Sequence, residues 1–373
     1  MALVLAAGLT VVSSSTVSTS EPSWICAYVA ERLPSTLLLL GDDTVSGEET
    51  RAARARLSLS EAILTRASNL ALARSLGATR LVVVRCADQG EIATIKAQAF
   101  DAVRPVAGAL IEVSRPLADL ATAIDEIARR LSPDAPPFEG LAFPAPSVKS
   151  LLVAGPALKL SAASERSREL TVALGVDPTS IGLRLSTVGA LITARDFEAA
   201  IRLAHLPARP GTPAALVRAL RFQASAAQLE AGRYAEARDT LETLRRARET
   251  AAVLNNLGVA GFRLREASAS DLFERANSLL DHRQGDISFN RTLALLFEGK
   301  ADRALARLDQ ALQNPTDART RLLRVWALRL LNREPERAEE WERLLNLAPS
   351  FFRLGKPDLA RRLERIFFSE RTP

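Results

Sequence analysis

From residue 147 onward, apolar side chains recur every three or four positions, the period of helices with one buried face. Residues 253–276 show the unit most clearly. They read as two short antiparallel helices, with Gly258 midway along the first and Ala269, Phe273 and Ala276 sharing one face of the second. Six such pairs are predicted, with turns at Arg195, Gly232, Gly299 and Asn332 among them and small residues such as Ala200, Ala237 and Ala304 where two backbones must approach. Residues 1–131 follow a different pattern. Short branched runs at 9–12 and 81–84 read as buried strands, 91–100 and 106–113 as a pair of strands, and a further short strand is expected at 44–46. Between and after them lie helical periods around Trp24 and at 48–57, 64–76 and 117–131, the third closing on Gly77.

The fold class that follows is α+β: an amino-terminal α/β sandwich with a mixed sheet of about five strands, then an all-helical superhelix. Five prolines crowd residues 132–146, a spacing that blocks both helix and sheet and predicts a semi-rigid linker. The expected division is a head at 1–131, the linker at 132–146, helical repeats at 147–350 and a capping helix at 351–373. A head and an array so joined are expected to fold separately.

The spacing of the Leu257-Gly258 pair and the run Ala269, Phe273, Ala276 resembles the tetratricopeptide repeat, a helix-turn-helix unit of about 34 residues. Individual repeats lack the consensus tryptophan and several prolines, and the fourth and fifth match best. The head, through residues 23–34, 64–84 and 117–131, resembles the amino-terminal domain of the TolB translocation protein, with Cys86 where relatives usually place glycine. These resemblances imply a non-catalytic binding scaffold, and the second keeps an envelope location open beside the cytoplasmic one.

Charge sharpens the division. Residues 1–131 carry 13 basic and 14 acidic side chains, and the rest carry 36 and 29, so the array is the basic part. Acids interleave with those bases, as in residues 333–343, and aromatic platforms are scarce, which argues against nucleic acid as the partner. No apolar run approaches the length of a membrane span. Residues 1–12 are apolar but no basic residue precedes them, the first being Arg32, so a first strand is favoured over a secretory signal. Cys26 and Cys86 form no Cys-x-x-Cys pair and are expected as small buried residues rather than a disulfide framework.

Signals for chemistry are sparse: no phosphate loop, nucleophile elbow or dinucleotide fingerprint occurs, and His205 and His282 stand alone. No catalytic residue, cofactor or metal is expected. The acidic run Asp42, Asp43, Glu48, Glu49 reads as a solvated turn. In tetratricopeptide arrays the first helix of each pair lines the concave wall. Aligning the repeats places Gln223, Asn256, Asn290 and Arg324 in one slot, at steps of 33, 34 and 34 residues, with Asn255 and Phe289 beside it. Amides there pair with an extended peptide backbone, and Arg324 would take a carboxylate; the alternative is that Asn256 and Asn290 join neighbouring repeats. The expected partner is a protein or peptide. A regulatory head that binds a small ligand or nucleotide is the competing reading.

Overall fold

The computed structural model describes residues 10–14, 24–57, 59, 65–89, 91–104, 106–135, 148–279, 285–311 and 318–347. The expected capping helix at 351–373, most of the proline-rich linker, Gly90 of the expected hairpin turn, and His282 lie outside them.

The head is built from β1 (Thr10–Ser14), α1 (Trp24–Leu39), α2 (Gly47–Arg56), α3 (Arg66–Ser75), β2 (Arg80–Gln89), β3 (Ile92–Asp101), β4 (Ala107–Pro116) and α4 (Leu120–Leu131). Its sheet has the order β1-β2-β3-β4, parallel between the first two strands and antiparallel thereafter. Among the described residues four strands stand where about five were expected, Thr44 making only an isolated bridge to Thr10. Alternation along β2 explains the layering: Val82 and Val84 point towards α1 and α4, while Leu81 points towards α3 on the other face. Ser46 opens α2 with a reciprocal capping box, its hydroxyl accepting from the Glu49 amide while the Glu49 carboxylate accepts from the Ser46 amide.

Cys26 of α1 and Cys86 of β2 form a disulfide, their Cα atoms 5.3 Å apart. This corrects the expectation of two reduced, purely packing cysteines. A separation of 60 residues hid the pairing, which exists only because α1 lies across β2.

Twelve helices follow as six antiparallel pairs: α5 (Val148–Lys159) and α6 (Ala163–Val176), α7 (Ile181–Thr193) and α8 (Phe197–His205), α9 (Ala214–Glu230) and α10 (Tyr234–Ala247), α11 (Ala251–Arg263) and α12 (Ala269–Leu279), α13 (Gly285–Phe297) and α14 (Ala301–Ala311), α15 (Ala318–Leu330) and α16 (Glu334–Leu347). First helices meet first helices along the array, α7 on α9 and α9 on α11, as in a solenoid. At the fourth pair, a Cβ on Gly258 would lie 2.8 Å from the Phe273 ring, which is 2 % exposed; only a hydrogen fits that crossing.

Head and array are not beads on a string. One continuous apolar core runs from Val12, Ile25 and Ile124 of the head through Leu151, Leu158, Leu170 and Leu183 of the first two pairs. The helix α1 packs on α5 and reaches α7 and α9, and α2 touches α7. The head therefore sits against first helices of the first three pairs.

Candidate functional site: the concave wall of the helical array

From the second pair on, each pair turns on one residue of left-handed backbone: Arg195, Gly232, Arg265, Gly299 and Asn332, separated by 37, 33, 34 and 33 residues. The residue types differ, yet the conformation repeats, because each first helix must reverse within the same few atoms. Counting back from that residue gives a register independent of side-chain identity.

In this register Gln223, Asn256 and Asn290 each stand nine residues before the turn, as expected together. Arg324 does not: it stands eight before Asn332 and matches Arg291, while Leu323 takes the slot. One residue is about 100° around a helix. Arg324 is thereby swung from the wall into the gap between second helices, where its Nε donates to Asp309 of α14 at 2.9 Å and Nη1 to Glu340 of α16 at 3.0 Å. Arg291 is held likewise by Glu274 of α12. The expected guanidinium for a ligand carboxylate is thus already neutralised by two acids, and the 34-residue step from Asn290 was one residue too long.

The amides also meet differently from the expected ladder. The Asn290 Nδ2 donates to Asn255 at 3.0 Å, and the Asn255 Nδ2 to Asn256 at 3.2 Å, so Asn255 links consecutive pairs. All three are half-buried. Phe289 packs on the apolar cluster shared by α13, α14 and α15. Gln223 belongs to the part of the wall that the head covers: its Nε2 lies 3.6 Å from where a Cβ on Gly189 would stand, and the Cγ of Glu48 lies 2.9 Å from that same point.

That covered part shows which register positions line the wall. In α7, Gly182, Ser186, Gly189 and Thr193 stand thirteen, nine, six and two residues before the turn. Gly182 and Ser186 border a cavity against Tyr28, Arg32 and Ser35 of α1, Gly189 lies under Glu48, and the Thr193 hydroxyl donates to Glu48 at 3.2 Å. Small side chains at these positions let the head approach the helix backbone.

Glu48 fastens this seam. Arg166 of α6 grips it with two prongs, Nε to Oε1 at 2.8 Å and Nη2 to Oε2 at 2.9 Å, and Arg51 donates to the same carboxylate at 2.8 Å. Burial pushes the Glu48 carboxyl up, but the Arg51 and Arg166 guanidiniums together outweigh it and hold the group below its ordinary range. At the far end of α1 the Gly41 carbonyl accepts from Arg248, which also pairs with Asp43 at 3.1 Å, just ahead of α11. Of the expected acidic turn, Asp42 pairs with Arg80 and accepts from Ser132, so all four carboxylates serve internal contacts. His205 ends α8.

On α11, α13 and α15 the head makes no packing, among the described residues, like that on α5, α7 and α9. Six before the turn stand Val259, Leu293 and Trp326; two before it stand Arg263, Phe297 and Leu330. Leu330 is 46 % exposed, and Phe297 makes an edge contact with Phe262 at 4.7 Å between centroids. Val259, Leu293 and Trp326 are half-buried against the apolar clusters of the array, and sequence reading passed over them as core. The recurring left-handed turn was the signal that places them.

No protein-family profile matches the chain, and no curated protein matches it. Among solved structures it is similar to YrrB, described as a TPR protein with an unusual peptide-binding site, at 17% identity and a TM-score of 0.39 over 49% of this chain and 94% of that one. It is also similar to the LpoB C-terminal domain from Salmonella enterica, at 15% identity and a TM-score of 0.24 over 30% and 83%. No described helix is long and apolar enough to cross a membrane.

Proposed function

We propose that this protein is a non-catalytic scaffold that takes up a partner protein on the concave wall of its last three helix pairs. One observation carries the reading: positions that the head fills on α7 are presented without the head on α11, α13 and α15, where they hold Val259, Leu293, Trp326, Phe297 and Leu330. An apolar strip rimmed by amides and by Arg263 is the make-up of a protein-binding surface rather than of a charged-ligand site. The head contributes by docking, not by holding a ligand. Its core is filled by Ile25, Leu33, Val82, Ile95 and Ile124, and the cavity on its seam with the array has a volume of about 20 Å³, room for a single water.

The test is recovery of partners from host extract on the immobilised intact protein, repeated with Leu330→Asp and with the double change Asn256→Ala and Asn290→Ala. Loss of the same recovered protein with both variants, at unchanged melting temperature, is the expected result. Retention with both removes the concave wall from the reading.

A further inference from the structure

The wall is continuous from α7 to α15, and the chain itself shows what its first half accommodates. The occupant there is a helix. Along α1, Tyr28, Arg32, Ser35 and Leu39 recur at helical spacing; the first three border α5 and α7 across the seam cavity, and Leu39 joins the apolar cluster of α7, α8 and α9. The segment then turns at Gly41 against Arg248, on the threshold of α11. Beyond that point the wall continues without a covering element among the described residues.

Resting on the scaffold reading above, we propose that the open half of the wall seats an amphipathic α-helix of the partner, laid end to end with α1. Spacing selects the helix. Adjacent first helices in packed arrays stand about 8–10 Å apart, and two turns of an α-helix advance about 10.5 Å. Anchors at i, i+7 and i+14 therefore fall over α11, α13 and α15 in turn and keep one face down. A strand covers about 10 Å in three residues, and three residues turn its side chain to the opposite face. The side chains agree. Where α7 admits the Glu48 side chain over Gly189, the open half holds Leu293 and Trp326, half-buried on the cluster of α13, α14 and α15, and Leu330, which is exposed and offers an apolar anchor point.

Charge narrows the partner further. Arg324 and Arg291 are committed to Asp309, Glu340 and Glu274, so the seat offers no free pair of guanidiniums to an acidic terminus. The recognised helix carries an apolar stripe and a polar flank that lies over Arg263.

The experiment uses the full-length protein and two displayed libraries of equal size: a stabilised single helix randomised on a stripe of seven-residue repeat, and linear peptides held extended by flanking prolines. Binders are then measured against Leu330→Asp, Arg263→Glu and a control on the outer face, Val172→Asp. Val172 is 52 % exposed on α6. Expected are binders from the helical library that weaken about tenfold or more with either wall variant and not with the control. Wall-dependent binders from the extended library alone would overturn the helix while leaving the scaffold standing. Absence of any wall-dependent binder from either library would overturn both.

Discussion

Single side chains decide how firmly the head is held. Glu48 and Arg166 are almost wholly enclosed, their side chains 8% and 3% exposed, so each depends on the other for its charge. Changing Glu48 to Gln leaves Arg166 buried beside a neutral group; breaking such a pair costs about 3–5 kcal/mol. We expect a loss of that order in urea denaturation at pH 7. The pH profile gives an independent reading. Because the folded protein holds Glu48 below its unfolded value of 4.5, the stability it contributes is complete above that pH and drains away as pH falls through the lower folded value. The difference between wild type and Glu48→Gln should accordingly shrink below about pH 4.5. A constant difference down to pH 3 would show that folding leaves the proton affinity of this carboxyl unchanged.

The element that matters most is α1, which serves two partners at once. One side, with Ile25, Val29 and Leu33, covers the sheet, and the other meets α5, α7 and α9. Its bond from Cys26 to Cys86 fixes it on β2 and closes a loop across 60 positions. By chain entropy such closure is worth on the order of 4 kcal/mol. Peptide mapping without reductant should recover the linked pair, and reduction should lower the melting temperature of the wild type but not of Cys26→Ala/Cys86→Ala. An unlinked pair in protein folded under oxidising conditions would refute this. The elements themselves were largely legible. Branched strand runs, the helix stop at Gly77 and the period of the helix pairs are local, and each appears where the pattern put it. The short strand at 44–46 was not, since three residues with one bridge to Thr10 carry too little pattern to separate strand from turn.

For the molecule as a whole, the shared core changes what truncation should do. Residues 147–350 would fold alone if the head were a tethered neighbour. Instead, Leu151, Ala154, Leu158 and Leu170 lie in the same cluster as Val12 and Ile124, and removing residues 1–131 strips that cover. Solenoids transmit such damage only through neighbouring units. The expected outcome is fast hydrogen exchange confined to α5, α6 and α7, with α11 to α15 still protected. Uniform protection in the truncated chain would mean that the array is independent of the head.

Sequence alone determined the repeating helix pairs and the mixed-sheet head, because periodicity and turn chemistry act over a few residues and leave a local trace. Tertiary structure decided which part of the concave wall is occupied and which side chains face it. Three pairs are taken up by α1 and α2, a contact between segments more than a hundred residues apart that no local pattern records. The register of Arg324 was likewise settled in space. A repeat one residue shorter, 33 instead of 34, turns a side chain by about 100°, and the left-handed backbone at Gly299 and Asn332 fixes that length at the turns the sequence had marked.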